Sequence, residues 1–86
     1  MSEMVHTDPA TGLPTGTVAA FLTLAAALVA LYPTGGTTEH GHPEFRWLCL
    51  GCGDRGYYAE QRGTARNRAN SHAAECRAIP WPSASA

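Results

Sequence analysis

Cys49-Leu50-Gly51-Cys52-Gly53 and, further along, His72-Ala73-Ala74-Glu75-Cys76 are the two segments that decide how this chain folds. The first places two thiols on a tight turn. The second places a histidine and a cysteine four residues apart, so on a helix they project from one face about 6 Å apart. All three cysteines of the 86-residue chain fall in this pattern. Zinc in a structural site takes four protein ligands, sulfur or nitrogen, at about 2.0–2.3 Å. Cys49, Cys52, His72 and Cys76 form such a set, which predicts one structural zinc per chain. A redox dithiol shares the Cys-x-x-Cys string, but the strand–motif–helix context of thioredoxin-like proteins is missing.

The glycines support the turn. In a metal knuckle, backbone N–H groups point at the sulfurs, and the required backbone conformations come at little cost to glycine. Phe45-Arg46-Trp47-Leu48 reads as a short strand feeding the knuckle, with Phe45 and Trp47 on the same face as Cys49. Gly56–Glu60 reads as its partner strand, with Asp54-Arg55-Gly56 as the turn. Thr64 then caps a helix predicted over 65–78, which Pro80 ends. Ala65, Ala69 and Ala73 lie near the His72/Cys76 face, small enough for the helix to approach the knuckle closely.

Residues 44–78 resemble zinc fingers of the strand–strand–helix kind with Cys-Cys-His-Cys ligands, and are similar to small zinc-finger-like proteins of actinobacteria. The match lies in Cys49-x-x-Cys52 and His72-x-x-x-Cys76. The departure is the nineteen residues between Cys52 and His72, against a common finger spacing of about twelve. No base-reading position is therefore carried over from that family. The resemblance implies a zinc-stabilised fold and says little about activity.

The rest of the chain reads as follows. Residues 1–16 lack periodicity and form a flexible arm. Residues 17–32 are apolar apart from Thr17 and Thr23 and are predicted to be a helix opened by Thr17, with large side chains on one half and alanines on the other. That helix either covers the core of the metal module or pairs with a copy of itself as a homodimer. At 1.5 Å per residue it spans about 22 Å, short of a hydrocarbon core of about 30 Å, so a membrane span is not expected. Residues 33–43 are a Gly/Pro/Thr linker in which His40 and His42 are expected to be solvated. Residues 79–86 are a tail carrying Trp81 between two prolines. The predicted fold class is a small zinc-stabilised α+β domain: a short β-hairpin and a helix around one zinc, with an additional N-terminal apolar helix.

A formal net charge of −1 rules out binding to nucleic acid by bulk basicity, but it hides an asymmetry. No Lys or Arg precedes Arg46, and all six cationic residues are arginines. With His72 and Cys76 facing inward, the outer helix face carries Arg66, Asn67, Asn70 and Arg77, and Arg55 and Arg62 flank it. Arg and Asn make forked contacts with base edges, and Arg also holds phosphates. DNA is therefore one expected partner. Another protein, docked on exposed aromatics of a zinc-held platform, is the other. A small-molecule substrate is not expected. An enzyme is not expected either: four protein ligands leave no open metal position, and the chain shows no Ser/His/Asp set, no paired carboxylates on one element and no phosphate-cradling loop. Three thiols without a full disulfide framework point to a reducing, cytoplasmic setting.

Overall fold

The computed structural model describes residues 7–79 except Tyr57. Four strands form one antiparallel sheet in sequential order: β1 (Ala19–Leu22), β2 (Leu28–Thr37), β3 (Pro43–Cys49) and β4 (Glu60–Gln61). One helix, α1 (Arg62–Glu75), follows and packs against the sheet.

The α+β class agrees with the sequence, but the N-terminal apolar helix does not form. Residues 19–22 and 28–32 are instead strands paired Ala19↔Leu31 through Leu22↔Leu28. The physical reason lies in burial. Val29, Ala30 and Leu31 are fully buried and Tyr32 nearly so, which makes β2 a central strand covered on both faces. Such a strand is a continuous apolar run with no period of two to reveal it. The reversal between β1 and β2 is built by Thr23. Its hydroxyl oxygen accepts the N–H groups of Ala25 and Ala27 at 3.3 and 3.0 Å, and Ala26 adopts a φ of 62°. Thr17, expected as a helix cap, instead donates its hydroxyl to the Pro14 carbonyl at 2.6 Å.

The expected linker over 33–43 is also largely strand. β2 continues to Thr37 and β3 begins at Pro43, with a register shift between Pro33 and Thr37. A turn closed by Thr38 N–H donating to the His42 carbonyl joins them, and His40 and His42 are exposed. Within the N-terminal arm, Thr7 bridges Pro14 around a turn in which Asp8 Oδ1 accepts the Ala10 N–H. The hairpin expected at 45–60 survives in reduced form. β3 meets β4 at Glu44↔Gln61 and Phe45↔Glu60, with a separate Leu48↔Arg55 bridge. The tail with Trp81 lies beyond the described residues.

The helix starts three residues earlier than expected and ends at Glu75. Thr64 lies inside it, and the cap position is Gln61, whose side chain makes no capping bond. Ala65, Ala69 and Ala73 are its buried residues. Three small side chains on one face let the helix axis lie close to the sheet. Val29, Trp47 and Cys49 pack against Ala69, Ala73 and Cys76, while Leu31 and Phe45 pack against Ala65. Phe21 touches both groups.

Within residues 17–32, Leu31 is core, whereas Leu24 is 66% exposed. Leu31→Ala should cost about 2–5 kcal/mol. Leu24→Glu should cost under about 0.5 kcal/mol. Urea unfolding in excess zinc measures both.

Candidate metal centre

The two ends of the site are brought together by secondary structure. β3 delivers Cys49 at its last residue, and the knuckle turns back so that Cys49 N–H donates to the Asp54 carbonyl at 2.8 Å and Gly53 N–H to the Cys49 carbonyl at 2.9 Å. Gly53 sits at φ 81°, a conformation that costs a side-chain-bearing residue free energy. The last turn of α1 delivers His72. Cys76 is not within the helix, as the sequence reading had it, but is its C-terminal cap residue, extended, with its N–H donating to the His72 carbonyl at 2.8 Å. The i, i+4 relation therefore still brings both side chains to one spot.

Cys49, Cys52, His72 and Cys76 place their ligand atoms within 4.8 Å of one another, and this group could hold one metal ion. Two edges are particularly telling. Cys49 Sγ lies 3.8 Å from Cys76 Sγ, and Cys52 Sγ lies 3.3 Å from His72 Nε2. A tetrahedral zinc with sulfur at about 2.3 Å and nitrogen at about 2.0 Å separates two sulfurs by about 3.8 Å and a sulfur from a nitrogen by about 3.5 Å. These two edges match a zinc-sized ion. Cys49 is fully buried and Cys76 nearly so, while Cys52 is exposed.

The imidazole is oriented from three sides. Nε2 faces Cys52, Nδ1 lies 3.9 Å from Asp54 Oδ2, and the ring stacks on Trp47 with centroids 4.8 Å apart. Asp54 is thus at ion-pair distance from the nitrogen that faces away from the sulfurs, the side on which a carboxylate can orient a metal-bound imidazole. Asp54 was not singled out from the sequence, although its position two residues after Cys52 is the signal that could have found it. Trp47 is packed against the site, as the strand pattern implied.

Gly51 closes the assembly from outside. A Cβ there would come within 2.6 Å of the Ala78 carbonyl oxygen and 2.9 Å of Ala27 Cβ. The chain leaving the helix, the knuckle and the β1–β2 turn thus meet at a point where only hydrogen fits. Leu24 N–H adds a bond to the Cys76 carbonyl at 3.1 Å, and Leu50 N–H one to the Leu28 carbonyl at 2.8 Å. The β1–β2 hairpin is therefore fastened to both halves of the metal centre.

The two knuckle thiols differ electrostatically. Burial acts to raise Cys49, but the N–H groups of Cys52 and Gly51, with hydrogen bonds from His72 and the Cys52 side chain, outweigh it and bring Cys49 down to about 7. For Cys52, partial burial is the largest influence and raises it. The Asp54 N–H opposes that, the sulfurs of Cys49 and Cys76 add to it, and the result is about 11. The Asp54 N–H to Cys52 Sγ distance is 3.4 Å.

The six residues proposed for nucleic-acid contact are not gathered on one surface. Arg62 and Arg66 lie over the rings of Phe45 and Phe21 on one flank of α1. Asn67 and Arg55 instead line a groove of about 450 Å³ beside Trp47 on the other flank. Arg77 and Asn70 are exposed. That second flank also holds an ion pair missed in the sequence, Arg68 Nε to Glu60 Oε1 at 2.7 Å.

No protein-family model, curated protein or solved structure matches the chain. What can be said of it follows from its own geometry. Among the described residues, no helix is long and apolar enough to cross a membrane.

Two outcomes follow for metal binding. Thiol ligands must give up their protons to the solvent when metal binds, so apparent affinity should rise at least about tenfold per pH unit from pH 6 to 8, and fall correspondingly on acidification. Competition titration with a chromophoric chelator reads this. Asp54→Asn should weaken metal affinity by about 10–100-fold, by the same titration, with the fold retained at saturating metal.

Proposed function

We propose that the chain is a structural-zinc module that binds nucleic acid and does no chemistry at its metal. The observation that carries the structural role is the closed ligand set. Three sulfurs and one imidazole nitrogen supply the four ligands of a tetrahedral ion, which would leave no position for a water or a substrate oxygen. Zinc is the ion that suits this donor set best, because thiolate and imidazole favour it, it accepts tetrahedral geometry and it brings no redox chemistry of its own.

The nucleic-acid reading draws support from the arginines of residues 62–77. They are exposed on or just after the helix that the metal anchors, and forked cations of this kind are suited to phosphates. A protein partner is the second reading. It is favoured by Leu22, Leu24 and Ile79, which are more than half exposed. Leu24 is tied by its backbone to Cys76, close to the segment leading to Ile79.

Fluorescence anisotropy with labelled single-stranded and duplex oligonucleotides separates the two. The zinc-loaded chain should bind at about 50 mM salt and weaken log-linearly toward about 200 mM. No binding at the low-salt end would remove the nucleic-acid reading and leave the protein one, since the phosphate contribution is largest there.

A further inference from the structure

Arg62 and Arg66 are one helical turn apart, and each guanidinium lies 5.8 Å from the centroid of a sheet aromatic, Phe45 for Arg62 and Phe21 for Arg66. Both arginines are exposed. Among the described residues neither has a carboxylate within ion-pair distance. Two acids of β3 and β4 have other partners: Glu60 is with Arg68 at 2.7 Å and Glu44 with the Thr34 hydroxyl at 2.8 Å. The first turn of α1 contains no acidic residue to balance Arg62.

A guanidinium at cation–π distance from a ring is drawn toward one position before any ligand arrives, which reduces the entropy lost when its fork engages an anion. Side chains at i and i+4 on a helix stand about 5–6 Å apart at Cβ, comparable with successive phosphates along one nucleic-acid strand. We infer that Arg62 and Arg66 form a preorganised two-pronged clamp for adjacent phosphates of a nucleic-acid backbone. This inference rests on the nucleic-acid reading above and places its contact on the flank of α1 that faces Phe45 of β3 and Phe21 of β1. The groove beside Trp47, where Arg68 is already neutralised, is not the contact surface. Backbone contacts of this kind fix register and carry no base information, so the clamp binds without sequence preference.

The test compares the zinc-loaded wild type with Arg62→Gln/Arg66→Gln, Arg62→Lys/Arg66→Lys and Arg77→Gln, using labelled oligonucleotides over a salt series. Zinc content and circular dichroism confirm that each variant is folded. The glutamine pair should lose about tenfold or more in affinity at about 50 mM salt, and the slope of log affinity against log salt should shrink by between about one and two. The lysine pair keeps charge but loses the planar fork and should fall between the glutamine pair and wild type. Arg77→Gln should change affinity by less than about twofold. An unchanged slope in the glutamine pair, or an equal loss per charge from Arg77→Gln, would overturn the clamp while leaving nucleic-acid binding intact. Failure of the wild type to bind at all would instead overturn the nucleic-acid reading and the clamp with it.

Discussion

The contact on which the structure depends is the meeting of the Cys49/Cys52 knuckle with the His72/Cys76 end of α1. Without an ion, three sulfurs and an imidazole would crowd within 4.8 Å of one another, two of the sulfurs in a buried setting. With a divalent cation at the centre, that crowding becomes the strongest attraction in the molecule. The hydrophobic contribution is small by comparison. The helix offers the sheet three alanines, and the largest fully buried side chains are Leu31, Val29 and Cys49. A chain of this length buries a modest share of its surface, and domains of this size commonly rely on a metal or disulfides for stability.

Other local features serve the same junction. Gly51 has a hydrogen where a Cβ would strike the Ala78 carbonyl. Trp47 stacks on the His72 ring while Asp54 faces its far nitrogen. The β1–β2 hairpin bonds through Leu24 to Cys76 and through Leu28 to Leu50. These contacts connect the ligand cluster to both the sheet and the helix, so loss of a bound ion should be felt as far away as β1. A site built this way holds a surface in place. With an ion bound, its thiols and imidazole would all be engaged as ligands.

The metal centre was legible in the sequence because its signals are local. Cys-x-x-Cys with glycines and His-x-x-x-Cys each depend on a few neighbouring residues. The alternation of Phe45, Trp47 and Cys49 was legible for the same reason, since β3 is buried on one face only. β2 was hidden because Val29 to Tyr32 are buried consecutively, and the alanines around them favour helix by intrinsic propensity until sheet pairing overrides it. The turn signal inside that apolar run was one hydroxyl, Thr23, easily passed over as a polar interruption. The long gap from Cys52 to His72 also has a physical explanation. It holds the Leu48↔Arg55 bridge, β4 and the first turns of α1, which is why the two-stranded finger pattern did not extend to the whole fold. The outer helix face was read as one surface, whereas packing on aromatic rings drew Arg62 and Arg66 to one flank and the groove took Asn67 to the other.

The central claim is that metal coordination and folding are one event. Its most direct measurement is a zinc titration of the metal-stripped, reduced chain followed by near- and far-ultraviolet circular dichroism with metal analysis of the product. The account predicts an unfolded apoprotein that gains its strand, helix and Trp47 signals together and saturates at one zinc per chain. A metal-stripped chain that already shows the full folded spectrum, unchanged on adding zinc, would contradict it.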